Sequence, residues 1–195
     1  IDSFVLGHTA EGADPGERVS FVPLPTIGYE NADGAIRRVL IVEPAGSSGS
    51  VCRILERKLP GWLMTDDDGR ETACLVPLED RRVLWRYQRR ARLWRSVTPV
   101  VLHGYNSSHG KISLAKTERL LLRAFEMAGY GEDSIQRLAF QQAPLWRGCG
   151  AAGQIEAPLH LRGLPRYHVE VEFRTPVSGP VLAGLGRHCG LGVFA

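Results

Sequence analysis

Histidine is the side chain that exchanges a proton near neutral pH, and the six in this 195-residue sequence are not equivalent. His8 follows Gly7 just ahead of residues 9–18, a run of turn formers and charges, so it stands at a loop where a scaffold can present chemistry. His103 and His109 share a polar segment with Tyr105 and precede Lys111; two imidazoles beside a cation could form an acid–base cluster. His188 lies next to Arg187 in a glycine-rich tail, while His160 and His168 read as structural. The other reactive types offer less. Cys52, Cys74, Cys149 and Cys189 are far apart with no C-x-x-C pair, which suits free, mostly buried thiols better than a zinc site or a disulfide framework. Asp66, Asp67 and Asp68 lack the further spaced carboxylates of a calcium loop and read as an exposed turn before Gly69. No nucleophile motif or cofactor fingerprint occurs, so neither metal nor cofactor is expected, and a small-molecule enzyme of unrelated α/β fold is disfavoured.

The net charge of +3 is modest, yet only Lys58, Lys111 and Lys116 are lysines; the rest of the positive charge is arginine. A GC-rich genome would enrich arginine without functional reason, but clustering is a separate signal. Residues 81–95 hold seven arginines and no acid, together with Trp85, Tyr87 and Trp94. Drawn as a helix, Leu84, Tyr87, Ala91 and Trp94 form one face while Arg82, Arg86, Arg89 and Arg90 point away. Guanidinium groups interleaved with aromatics suit a phosphate backbone and unpaired bases; the alternative is a surface helix whose arginines are merely solvated. The tail places Gly184, Gly186, Gly190 and Gly192 around Arg187 and His188, and glycine lets backbone N–H groups approach a phosphate. Too few residues follow for a helix to receive a pyrophosphate, which excludes a dinucleotide fingerprint.

These residues need elements to hold them. Residues 19–24 read as a strand, with Pro23 and Pro25 marking an edge or an end, and the β-branched run 36–42 as the next. The intervening residues 28–34 are then a surface loop. Serines before Val51, Ile54 and Leu55 predict a serine-capped helix to about Lys58, stopped by Pro60 and Gly61. In the second half, residues 97–102 predict a buried strand and 103–110 a polar loop. Residues 113–128 predict a helix with Leu114, Leu121, Ala124, Phe125 and Ala128 on one face and Gly129 as its stop. Residues 134–140 and 167–173 read as strands, the second with His168, Glu170 and Glu172 on one face; a short apolar helix or turn at 181–185 and a last strand at 191–194 complete the order. That order is ferredoxin-like. The fold class is therefore α+β, with a first, degenerate ferredoxin-like unit at 1–93, including the basic segment, and a second at 94–195, including the glycine-rich loop 184–192. No stretch approaches the length needed to span a bilayer, so a cytoplasmic protein without a membrane partner is expected. The chain starts without Met or a signal sequence, as a processed or cut chain would.

The tail Gly-x-Gly-x-x-x-Gly-x-Gly-x-Phe from Gly184 to Phe194, preceded by an apolar segment at 179–183, resembles the glycine-rich loop of the RAMP superfamily of CRISPR-associated proteins. Residues 21–28 with Ala32, Asp33 and Gly34, and residues 94–102, are similar more narrowly to the C-terminal, RNA-processing half of the fused Cas protein of type I-G (formerly I-U) systems, in order over most of residues 4–194. The resemblance implies RRM-like RAMP units, CRISPR repeat RNA or crRNA and other effector-complex subunits as partners, and metal-independent cleavage of precursor RNA within repeats. It also implies that a 2′-hydroxyl attacks, leaving a cyclic phosphate. His8, the Asn31 position and His103 are then the catalytic candidates. Arg37, Arg38, Arg86, Arg89, Arg90, Lys111, Gly184, Gly186, Arg187, His188 and Gly190 are the RNA-binding ones. The family pattern has histidine where this chain has Asn31, and asparagine cannot exchange a proton near neutral pH. Either this chain is an inactive variant that still binds repeat RNA, or its catalytic histidine lies elsewhere.

Overall fold

The computed structural model describes residues 19–44, 46–78, 82–108 and 111–195, the side chains of Arg82, Val83 and Ser108 excepted. Antiparallel strands and short helices make it an α+β protein. Strand β1 (Ser20–Pro25) pairs with β2 (Ile36–Val42) in a two-stranded sheet. Two prolines are tolerable in β1 because, among the described residues, it pairs with β2 alone. Helix α1 (Ser50–Lys58) follows, then the hairpin of β3 (Leu63–Thr65) and β4 (Glu71–Cys74), turned by Asp66–Gly69. No serine caps α1: its N-cap is Gly49 in the left-handed region, and the Glu43 carboxylate accepts from the Cys52 amide instead. That hydrogen bond holds the Glu43 carboxyl below its usual pKa.

Helix α2 (Arg82–Gln88) ends at Gln88, and the chain continues as strand β5 (Arg90–Arg95). The single helix expected over 81–95 therefore does not form. The physical reason is pairing: β5 lies antiparallel to β10 (Arg166–Ser178), which sets Trp94 opposite Val171 and buries it fully. Tertiary burial of an aromatic outweighs the weak helical preference of a short segment. Next come β6 (Val100–Val101), the small hairpin β7 (Ser107–Ser108) and β8 (Lys111–Ile112), helix α3 (Leu114–Glu126) and β9 (Ile135–Gln141). Ser113 caps α3 by accepting from the Lys116 amide, and Gly129 beyond the helix adopts φ 89°. Leu121, Ala124 and Phe125 are buried by α3 as its periodicity predicts, but Leu114, on the same stripe in the first turn, lies beyond the core cluster and is 70% exposed.

Strand β10 pairs with β9 on one side and with β5 and β6 on the other. The C-terminal residues add a further edge, since the Arg95 and Ala195 backbones exchange hydrogen bonds of 3.1 and 3.0 Å and the Val97 amide donates to Val193. Residues 181–183, expected as a helix or turn, instead extend along this edge: Leu182 bridges Val193, and the Phe194 amide donates to Val181. The core beneath holds Trp94, Val100, Phe125, Val169, Val171, Phe173, Val181 and Phe194, with Phe125 edge-on to Phe173 at 6.2 Å. Each such side chain contributes about 1.5–3 kcal/mol by leaving water.

Contacts divide the chain into two units. The first comprises residues 1–19 and 41–84, the second residues 20–40 and 85–195. Among its described residues the first unit buries only Val19 and Leu55, and Trp62, Leu63, Met64 and Val76 lie exposed on and beside its hairpin. The free thiols are less buried than expected, with Cys52 and Cys149 half-buried and Cys74 and Cys189 exposed. No described helix is long and apolar enough to cross a membrane.

Candidate nucleic-acid interface

The second unit gathers aromatic rings and arginines from three segments distant in sequence. Tyr87 anchors the end of α2: it is buried and its hydroxyl donates to the Pro25 carbonyl at 3.2 Å. One residue earlier, the Arg86 guanidinium makes cation–π contacts, its Cζ 5.9 Å from the Tyr29 ring centroid and 5.3 Å from that of Trp146. Arg89 lies over Trp85 at 5.8 Å and Trp94 at 5.5 Å. Burial and the charges of Arg86 and Arg95 lower the pKa of Arg89, and its Nε is a buried donor without acceptor among the described residues. Beside it a cavity of about 400 Å³ is lined by Arg89, Arg92, Leu93, Arg95 and Trp146. Arg90 is exposed, its Nε donating to Pro176 at 3.3 Å.

The acid missing from 81–95 comes from β10. Arg95 pairs with Glu170 at 2.7 Å, Arg92 with Glu172 at 3.6 Å, and Arg137 of β9 with both carboxylates. The Arg95 hydrogen bond, foremost, pulls the Glu170 pKa down. Arg86, Arg89 and Arg90, by contrast, have no carboxylate partner among the described residues, so the arginines separate into a neutralised set and an available set.

Residues 32–34 of the loop 28–34 are held against residues 148–149 of the same unit. A Cβ on Gly34 would stand 1.8 Å from the Gly148 carbonyl oxygen, so the two backbones cross where only glycine fits. Asn31 is exposed at the turn of this loop. Arg37 is also exposed, but its fork closes on Asp33 at 2.9 and 2.7 Å and reaches Thr26, which holds the Asp33 carboxyl far below its usual range. Arg38 is half-buried in β2, and Lys111 is exposed in β8.

The glycine-rich loop folds onto protein. Gly184 packs on Val100 and Val101, Gly186 on Leu161 and Leu191, and Gly190 on Pro23. The amides of Leu185, Leu191 and Gly192 are spent on Val101, Gly186 and Pro99. Ser20 Oγ and His188 Nδ1 hydrogen-bond at 2.8 Å, joining the loop to β1. His103, just past β6, is different. Both ring nitrogens are buried with no partner among the described residues; burial first, then the charges of Arg187 and Arg123, lower the pKa of the ring. Its loop is pinned by buried Asn106, whose Nδ2 donates to Thr117 Oγ1 and Tyr167 Oη, each at 2.7 Å. His168 is buried and structural, bonded to Ser96 Oγ and the Gly150 carbonyl. His8 and His109 lie outside the described residues.

Tyr29, Arg123 and Trp146 were not legible as site residues. Tyr29 carries a faint sequence signal, an aromatic beside Gly28 in a loop; Trp146 joins Arg86 only through the crossing of two loops. Comparison with curated proteins and with solved structures gives no match. Comparison with protein families does: the described geometry belongs to a chain that matches the family described as CRISPR-associated protein, GSU0054 family, over residues 1–195, and the chain is a member of that family.

Proposed function

We propose that this chain binds CRISPR repeat RNA and cuts it without a metal ion, as an endoribonuclease that processes precursor crRNA for an effector complex. The observation that carries this reading is His103, whose two ring nitrogens have no hydrogen-bond partner among the described residues and whose pKa is lowered by burial, then by the charges of Arg187 and Arg123. Buried polar groups are nearly always hydrogen-bonded, so an exception is a cost that function explains. A neutral imidazole can take the proton of the 2′-hydroxyl as the oxygen attacks the adjacent phosphorus. The two guanidinium groups offset charge on the crowded phosphate. The P–O5′ bond breaks, leaving a 2′,3′-cyclic phosphate and a 5′ oxygen that takes its proton from a general acid, the part open to His8.

The order 191–195, β5, β10, β9 across the sheet, with α3 between the β5–β6 and β9 segments, supports a ferredoxin-like, RRM-like RAMP unit for this half. A non-catalytic repeat-binding module is the second reading, and the exposed Asn31 favours it, because that position cannot carry a proton. Repeat RNA incubated in EDTA separates the two. Cleavage is expected with cyclic-phosphate ends, slowed about 10²- to 10⁴-fold by His103→Ala, with the acid limb of the rate profile below pH about 6.5. Loss of cleavage in EDTA sinks the metal-free mechanism. Tight binding without turnover, unchanged by Asn31→His, establishes the binding module.

A further inference from the structure

We infer that Tyr29, Arg86 and Trp146 form a seat for one unpaired RNA nucleotide, its base stacked on the open face of Tyr29 and its phosphate on the N–H edge of Arg86. The inference rests on the RNA-binding reading and specifies its ligand. Arg86 is held flat. A Cβ on Gly28 would lie 3.0, 3.0 and 3.1 Å from Cζ, Nη1 and Nη2, nearly equidistant, which places the Gly28 backbone over the guanidinium plane. The two rings make cation–π contact with the same group, and the Trp146 indole is fixed by its Nε1 donating to the Arg95 carbonyl at 3.2 Å.

With Gly28 against one face and two rings beside it, the guanidinium keeps its donors at the edge, and no hydrogen bond or ion pair among the described residues takes them. The carboxylate of Asp33 in the same loop is closed on Arg37, and exposed Glu30 makes no ion pair with Arg86. A planar fork without a carboxylate, oriented in advance, is suited to phosphate. Tyr29 is 59% exposed, so it keeps surface beyond its Arg86 contact on which a base could stack. Single-stranded RNA presents a phosphate edge and a π-face on every nucleotide; a duplex hides the face in its stack. Trp85, 62% exposed against Arg89, repeats the pairing of ring and guanidinium nearby in the chain.

The test uses fluorescence anisotropy with two probes, a labelled oligouridylate and an RNA duplex of equal length, over a salt series. The whole chain should favour the single strand. Tyr29→Leu should weaken oligouridylate binding about tenfold, leave duplex binding and the salt slope unchanged, and be rescued by Tyr29→Phe. Arg86→Gln should weaken it too and lower the log–log salt slope by about 0.7; Arg86→Lys, which keeps charge but loses the flat stack, should restore the slope and not the affinity. Near-UV circular dichroism identifies folded variants, and the exposure of Tyr29 makes its replacement harmless to the core. Wild-type-like binding by Tyr29→Leu and Arg86→Gln overturns the seat while RNA binding stands. Equal weakening on duplex and single strand by Tyr29→Leu also overturns it. Wild-type protein that binds neither probe overturns the seat, and if it also fails to bind repeat RNA the RNA-binding reading falls with it.

Discussion

Two histidines of the second unit show how environment divides one residue type. His168 spends both nitrogens on Ser96 and Gly150 within the core, whereas His103 spends neither among the described residues. Burial lowers the pKa of both. The folded state thus binds fewer protons than the unfolded state, so stability is full above the unfolded value of about 6.5 and falls as pH drops through the lowered folded values. Urea unfolding on either side of that pH should show the wild type losing stability on the acid side, with a shallower loss in His168→Gln; identical slopes would refute a buried neutral His168. The sequence legibly marked His168 as structural and His103 as a candidate, because one lies in an alternating strand and the other in a polar loop. It could not show that Glu170 and Glu172 neutralise Arg92 and Arg95 while leaving Arg86, Arg89 and Arg90 without acids, since those partners come from a strand some 75 to 80 positions away.

Among the elements, the glycine-rich tail kept its place and changed its meaning. Its glycines allow a hairpin arm, residues 181–183 and 192–194, to close on β6, and its amides serve protein carbonyls at several positions. Gly184 has φ 92°, and a Cβ there would stand 2.7 Å from Val100 Cγ1 and 2.8 Å from the Val101 oxygen. Gly184→Ala is expected to destabilise the second unit by at least about 1–2 kcal/mol from the left-handed backbone alone. A chemical denaturation midpoint equal to wild type would disprove the close packing. The strands β1, β2 and β9, the first part of β10 and the helices α1 and α3 were readable, to within a few residues, from periodicity and stop signals. The break of 81–95 into helix and strand was not, because amphipathic spacing of arginines and aromatics is the same local signal until β10 arrives to pair with it.

Across the whole chain the two units differ in how much apolar surface they remove from water. The second buries a continuous core of aromatic and β-branched side chains; the first buries only Val19 and Leu55 among its described residues. Protection against hydrogen exchange follows local burial. Amides of α1, β3 and β4 should therefore exchange orders of magnitude faster than those of β9, β10 and α3 when followed by mass spectrometry. Uniform protection would mean that the first unit shares the stability of the second. By itself the sequence determined the α+β class, most element positions, the arginine-rich character and the CRISPR-associated kinship, since these depend on local pattern and on motifs read in order. Only the tertiary structure decided which arginines are neutralised, that the Asn31 loop crosses residues 148–149, and that Tyr29 and Trp146 meet Arg86. Those outcomes depend on contacts between segments far apart in the chain, where glycines at 28, 34 and 148 let backbones and a guanidinium approach more closely than any side chain would permit.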